Sequence, residues 1–238
     1  MTTPKTKTPV AVLGATGLVG QRMVAALAEH PWFDLVEVAA SGRSAGRTYA
    51  EAVEWKLPGG VPEKAQALVV APVAPDAVSA PVALSALDAA VAGEAEEAFA
   101  RAGRAVVSNA RNHRMADDVP LVVPEVNADQ LDLVEAQRRR RGSRGFIVTN
   151  PNCSTITLVM ALAPLHRAAH LRRAVVTTLQ AASGAGYPGV PSLDLIDNVI
   201  PFISGEQDKI EIEPRKIFGR VADGRVEFAP IDIAVQVP

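Results

Sequence analysis

The sequence predicts a doubly wound α/β domain followed by a second, smaller domain, and three observations carry that expectation. An apolar run over 10–13 ends in glycine and is followed by Val19, Met23, Ala26 and Leu27 at helical spacing. Short apolar runs then alternate with helix-like stretches as far as residue 149, the pattern of a parallel sheet covered by helices on both faces. Beyond that point residues 226–237 alternate apolar and polar, as a strand with one wet face does.

Taken in order, strands over 10–13 and 35–40 flank the first helix, and the crossover makes them parallel with a right-handed connection. Further strands are expected over 67–71, 82–87 and 105–108, with a helix over 94–102 between the last two. Pro124-Glu125-Val126-Asn127 opens a helix-like stretch to Gln137, and the following RRRRGSRG reads as an exposed connection too hydrophilic to pack. A strand over 146–149 leads through NPNCST into a helix over 156–165. A strand over 174–179, helices over 193–200 and 206–217 and the strand over 226–237 complete the chain. The domain boundary is placed at 149/150, giving domains of 1–149 and 150–238.

Composition excludes several classes. The chain has 238 residues, 48% hydrophobic and 21% charged, with a net charge of -2, which is neither disordered nor fibrous in character. The long uncharged stretch over 175–190 is broken by Gly, Thr, Ser and Gln, short of the ~18 consecutive apolar residues of a membrane span. The first residues run from polar into a strand without an apolar signal stretch, so a cytoplasmic protein is expected. With 24 basic against 26 acidic residues there is no positive excess to steer nucleic acid, and a four-Arg cluster without aromatics does not supply one. A single cysteine, Cys153, excludes an intrachain disulfide and a thiolate cage, and no metal site is expected.

The first turn reads Gly14-Ala15-Thr16-Gly17-Leu18-Val19-Gly20. Glycines between a strand and a helix permit a tight turn and close backbone approach, and the free N–H groups of the helix start bind a pyrophosphate, which makes the domain Rossmann-type. An NAD-binding domain usually presents a carboxylate to the ribose at the end of the second strand. This chain presents Ser41, Arg43 and Ser44 there, with Glu37 inside the strand. Hydroxyls and a guanidinium suit a 2′-phosphate, so NADP is expected rather than NAD.

Cys153 follows Asn150-Pro151-Asn152 and precedes Ser154-Thr155 at the start of an apolar helix. A lone cysteine is commonly a small buried hydrophobe, but polar neighbours and a helix N-terminus favour a reactive thiolate. Beside a nicotinamide, such a thiolate adds to an aldehyde, the adduct loses hydride, and a second nucleophile releases the thioester.

The segments GATGLVGQ, AASGRSAGR, SNARNHRM, VPEVN, TNPNCST, QAASGAGYPGV and GEQDKIEIEPRKIFG, in that order, resemble the aspartate-semialdehyde dehydrogenase family in its archaeal and fungal-like branch. The resemblance implies a reversible NADP-dependent reduction of 4-aspartyl phosphate to aspartate 4-semialdehyde, a step towards lysine, threonine and methionine. It assigns Cys153 as the nucleophile, places Gln180 and Asn152 near the thioester, gives Arg114 and Lys209 to the phosphate, and puts Glu206 on the substrate. In the cofactor site it implies Gly14, Thr16, Gly17, Leu18 and Val19 at the pyrophosphate and Ser41, Arg43 and Ser44 at the 2′-phosphate. Ser183 and Gly184 fall at the nicotinamide end, with Ser85 as an addition. It further implies that the second domain is an α+β substrate and dimerisation domain, and that the family is a homodimer or homotetramer.

The family pattern continues with a substrate arginine and a segment carrying an acid/base histidine, whereas this sequence stops at Val235-Gln236-Val237-Pro238. None of His30, His113, His166 and His170 carries over to that role, and each reads as a surface or cap residue. The expectation is an incomplete second domain and weak or absent turnover, since general acid/base chemistry contributes ~10²–10⁴-fold. Related readings are a malonyl-coenzyme A reductase-like or N-acetyl-glutamyl-phosphate reductase-like enzyme, the latter disfavoured by NPNCST. A non-catalytic nucleotide-binding fragment is the reading from another class.

Overall fold

Residues 10–13 alternate between two layers. Val10 and Val12 lie in one buried cluster with Val24, Leu27 and Val38, while Ala11 and Leu13 lie in another with Ala83, Phe99 and Ile147. A strand whose successive side chains are buried on opposite faces is covered on both. A computed structural model, which describes residues 6–185 and 189–237, gives the chain two compact units, Met1–Pro120 with Asp132–Asn150 and Leu121–Leu131 with Pro151–Pro238.

The first unit is built on β1 (Thr8–Leu13), α1 (Leu18–Leu27), β2 (Phe33–Ala40), the single turns α2 (Tyr49–Ala52) and α3 (Glu63–Gln66), β3 (Val70–Pro72), β4 (Val82–Ser85), α4 (Ala89–Arg101) and β5 (Ala105–Ser108). The sheet runs β3-β2-β1-β4-β5-β6, with every pair parallel. Its sixth strand, β6 (Phe146–Thr149), follows two helices, α5 (Pro124–Asn127), which belongs to the second unit, and α6 (Leu133–Arg141). This is the Rossmann order, whose direction reverses between β1 and β4, and ligands bind at the carboxyl ends of the strands flanking that reversal.

Three expectations change here. The strand expected over 67–71 is β3 at Val70–Pro72, an edge position where the missing N–H of proline is tolerated. RRRRGSRG is not merely a solvated connection: Arg138 to Arg141 form the last turn of α6, and Gly142 at φ 61 ends it, an arrangement favoured by the helix dipole and by the left-handed cap. Arg141 grips Asp118 with two hydrogen bonds of 2.8 and 2.9 Å, and Arg138 lies 4.8 Å over the Phe146 ring. The segment Leu121–Leu131 goes with the second unit rather than the first, because Leu121 and Val123 pack with Val159 and Ile217 and Gln130 Nε2 donates to the Lys216 carbonyl at 2.6 Å.

The second unit adds α7 (Cys153–Ala169), β7 (Arg173–Thr177), α8 (Ser192–Leu195), α9 (Glu206–Ile217), β8 (Arg220–Ala222), β9 (Arg225–Glu227) and β10 (Asp232–Gln236). The helix expected over 193–200 is the single turn of α8, ended before Asp197, whose φ of 55 is not helical. The strand expected over 226–237 is two strands in two sheets. β9 forms an antiparallel hairpin with β8 through Asp223 and Gly224, both at positive φ, the backbone a two-residue hairpin turn requires. β10 pairs in parallel with β7, and its alternation of exposed and buried residues gives it one wet face. Pro230 lies between the two, where it cannot donate to a ladder. The glycine-rich turn after Gln180 is described as far as Ala185, and Gly186, Tyr187 and Pro188 lie outside the described residues.

Candidate active site

The turn after β1 is shaped by two glycines. Gly14 has φ +76, and a Cβ there would lie 2.6 Å from the Ala86 carbonyl, just beyond β4. A Cβ on Gly20 would lie 2.2 Å from the Gly14 carbonyl and 2.7 Å from Ala15 Cα, so the first turn of α1 nests against the loop only without a side chain. Gly17 caps α1 with no side-chain hydrogen bond, which leaves the N–H groups of the first turn to a ligand. Gly17 and Val19 are exposed and Thr16 and Leu18 half-buried, at the reversal of strand order.

Gln21 holds this turn in place, and only its membership of GATGLVGQ marks it in the sequence. Its buried side chain donates to the Thr16 carbonyl at 3.0 Å and the Glu54 carbonyl at 3.1 Å, and accepts from the Lys56 N–H at 2.7 Å. Tyr49 adds a hydrogen bond to the Ala15 carbonyl at 2.8 Å.

Ser41 and Arg43 are exposed and Ser44 half-buried in the turn that follows β2. Glu37 is engaged elsewhere, its carboxylate accepting from Ser79 N–H and hydroxyl and from Ala80 N–H at 2.8–3.0 Å. Burial pushes that carboxyl up, but those hydrogen bonds and the Arg104 charge outweigh it and hold the group below the usual carboxylate value.

Ser85, expected at the cofactor, is buried, and its hydroxyl donates to Glu96 at 2.6 Å. Ser108 donates to the same Glu96 oxygen at 2.7 Å. The loop that follows carries Arg114, 7% exposed, whose guanidinium donates to the Asn109 carbonyl at 2.8 Å. His113, read as a surface or cap residue, is buried, with Nε2 3.2 Å from the Gly93 carbonyl and 3.7 Å from Glu96.

In the second unit Cys153 is exposed at the first position of α7. Asn152 caps that helix, its Oδ1 accepting from Ser154 N–H at 2.9 Å and Thr155 N–H at 3.4 Å. The Asn152 Nδ2 donates to Glu206 Oε2 at 2.9 Å, Gln180 Nε2 reaches the same oxygen at 3.4 Å, and Lys209 Nζ lies 2.5 Å from Oε1. Burial pushes the Glu206 carboxyl up, but Lys209 and the two amides overcome it and hold the group ionised below its usual range. A cavity of about 490 Å³ opens here, lined by Cys153, Asn152, Gln180, Gly184 and Glu206 among others.

Cys153, Asn152, Gln180, Gly184, Glu206 and Lys209 therefore come together. The ammonium of Lys209, expected on a phosphate, is held by Glu206. Ser183 is exposed in a single 3₁₀ turn. Glu213, seven residues after Glu206, is a participant that only its place in EIEPRK signals, since residues i and i+7 share a helix face. Among the described residues no group of three His, Cys, Asp or Glu is placed to hold a metal ion.

The profile of the semialdehyde dehydrogenase NAD binding domain matches residues 9–134, and that of the semialdehyde dehydrogenase dimerisation domain matches 162–238. An aspartate-semialdehyde dehydrogenase of Archaeoglobus fulgidus is 52% identical over 225 residues, 94% of this chain and 65% of that protein. One from Cryptococcus neoformans is 50% identical over 230 residues, 94% of this chain and 63% of its own length. The crystal structure of aspartate semialdehyde dehydrogenase with NADP from Candida albicans superposes with a TM-score of 0.89 at 42% identity, covering 98% of this chain and 67% of that one.

The chain belongs to the aspartate-semialdehyde dehydrogenase family. It spans 65% and 63% of the length of the first and second of these relatives. Within the semialdehyde dehydrogenase family pattern, the first profile takes in the turn at 14–20 and the loop of Arg114, and the second takes in Gln180, Glu206 and Lys209. Asn152 and Cys153, the cap and first residue of α7, lie between the two matched segments.

Proposed function

We propose that the protein is an NADP-dependent aspartate-semialdehyde dehydrogenase that interconverts 4-aspartyl phosphate and aspartate 4-semialdehyde with exchange of phosphate. The observation that carries this reading is the exposed Cys153 thiol at the start of α7, on a cavity shared with Gln180 and Glu206. An exposed thiol on a cavity is accessible to a carbonyl substrate, as a cysteine nucleophile must be.

Three features of the first unit fit NADP: the side-chain-free Gly14 and Gly20, the uncapped start of α1, and the exposed Arg43 beside Ser41 and Ser44. Glu37, the one carboxylate near the end of β2, is taken up by Ser79 and Ala80. The relative from Candida albicans was solved with NADP. When bound, the cofactor supplies or accepts the hydride.

In the reductive direction the Cys153 thiolate attacks the acyl carbon, the C–O bond to phosphate breaks and phosphate leaves with that bonding pair, giving a thioester on Sγ. The family resemblance assigns Arg114 to the phosphate, and a guanidinium is a planar donor suited to two phosphate oxygens. Asn152 holds the helix start beneath the sulfur, Gln180 orients the acyl group, and Glu206 meets the substrate amine while Lys209 keeps its carboxylate ionised. After hydride delivery the C–S bond breaks, the aldehyde leaves and the thiolate is restored.

We further propose a homodimer or homotetramer. The second unit matches a domain described as a dimerisation domain, and Val175, Leu179 and Leu193 are 78–85% exposed there, an apolar surface of the kind that marks an interface. Among the described residues no helix is long and apolar enough to cross a membrane.

The test is phosphate-dependent NADP reduction with aspartate 4-semialdehyde, paired with iodoacetamide labelling of Cys153. The reading predicts that the substrate protects Cys153 from labelling and that Cys153→Ser abolishes reduction. A thiol that the semialdehyde does not protect, in a chain that also fails to bind NADPH, overturns it.

A further inference from the structure

Helix α9 touches the residue before the thiol twice. Glu206, at its first position, takes the side-chain amide of Asn152 at 2.9 Å. Glu213, seven residues on, takes the backbone N–H of the same Asn152 at 2.8 Å through Oε2. Their Cα atoms are separated by about 10.5 Å along a helix rising ~1.5 Å per residue, so the two side chains converge on one residue from two turns apart. Glu213 is 2% exposed.

Asn152 is the cap on which the start of α7 depends, and Cys153 follows it directly. The Oδ1 contacts to Ser154 and Thr155 fix the side chain relative to the helix but leave the peptide entering the cap to be held by something else. That something is the Glu213 carboxylate. A buried backbone N–H without an acceptor is costly, and the Glu213 Oε2 supplies that acceptor. The far end of α9 is in turn tied down, with Ile210 and Ile217 buried and the Lys216 carbonyl receiving Gln130. The acceptor therefore sits on a helix with little freedom to shift.

We propose that Glu213 is a positioning residue for the nucleophile: it holds the Asn152 peptide, and through it fixes where the Cys153 sulfur stands at the mouth of the cavity. The inference rests on the reading of Cys153 as the nucleophile, but its test does not require turnover. Glu213 does not itself line the cavity, so it acts through the placement of Asn152.

The experiment compares wild-type protein with Glu213→Asp and Glu213→Ala, measuring the second-order rate of iodoacetamide alkylation of Cys153 together with thermal unfolding. Aspartate keeps the carboxyl group and shortens the reach by one carbon–carbon bond, about 1.5 Å, too far back for the Asn152 N–H. Both variants are expected to lose about tenfold in alkylation rate, the scale of a lost helix cap or a misplaced reacting group. Steady-state rates supply a second readout: kcat falls by about tenfold while KM for the semialdehyde stays within about twofold. A folded Glu213→Asp protein alkylated at the wild-type rate overturns the proposal and leaves the dehydrogenase reading standing. Slowed alkylation in a chain without dehydrogenase activity supports the positioning role and counts against the dehydrogenase reading alone.

Discussion

Asn152 and Glu206 are joined side chain to side chain at 2.9 Å across 54 positions of sequence. One amide group does two jobs, its oxygen capping the start of helix α7 and its nitrogen holding the carboxylate that also receives Gln180 and Lys209. The reactive helix start and the polar wall of the cavity are thus a single hydrogen-bonded unit.

Replacing that amide separates the two roles. Asn152→Ala removes the cap and one donor to Glu206, and is expected to lower stability by about 1–2 kcal/mol in urea unfolding. Asn152→Asp keeps the cap but sets a second carboxylate beside Glu206, so at neutral pH it is expected to be at least as harmful. An aspartate variant as stable as wild type argues against the coupling.

The glycines of the first turn make a steric prediction. Gly20→Ala places a methyl group 2.2 Å from the Gly14 carbonyl, against backbone that has no side chain to rotate away. Destabilisation of about 1–3 kcal/mol is expected from the forced shift, with loss of NADPH binding in fluorescence titration. Wild-type affinity in Gly20→Ala would show that the turn is not where the pyrophosphate lies.

Cofactor choice should reside at the end of β2. Arg43 is exposed, so Arg43→Ala is expected to leave the melting temperature unchanged while weakening NADP by about tenfold or more, the scale of a lost charge-assisted hydrogen bond. The affinity for NAD, which lacks the 2′-phosphate, should change little. Equal losses for both cofactors would move Arg43 away from that phosphate.

Asp118 and Arg141 give the first unit a pH dependence. Burial pushes the Asp118 carboxyl up, but the hydrogen bonds and charge of Arg141 more than offset it and hold the group below its usual value. A depressed carboxyl adds stability that is fully present above its unfolded value, near about 3.9, and is lost as pH falls through the lower folded value. Asp118→Asn is therefore expected to be less stable than wild type by about 1.5–3 kcal/mol near neutral pH. The gap should narrow as pH falls below the ordinary carboxyl value and close below the lower folded one, as measured by urea unfolding across acid pH.

Local features of the chain were legible because their causes are local. Strands β5 and β6 lie where short apolar runs place them, and β6, buried from Ile147 to Thr149, needs no alternation. The turn at 14–20 follows from glycine chemistry that acts within seven residues. The 226–237 segment misleads for the converse reason: apolar residues continue through 228–231, and only the pairing of β9 with β8 and of β10 with β7 reveals two strands. The four arginines look solvated because nothing near them in sequence shows that Asp118 stands opposite Arg141, 23 positions away. Ser85 ends a strand as a ligand-binding hydroxyl would, yet Glu96 on α4 claims it.

The sequence by itself determined the alternation of strands and helices in the first unit, the glycine turn, the hydroxyls and guanidinium after β2, and a cysteine at a helix start. Each of these depends on residues within one or two turns of one another. Only the tertiary structure decided that Leu121–Leu131 joins the second unit, that Lys209 rests on Glu206, and that Glu213 holds the Asn152 peptide from 61 positions away. The physical reason is that a buried donor must find an acceptor, and which one it finds is settled by how the helices pack and not by the spacing of residues along the chain.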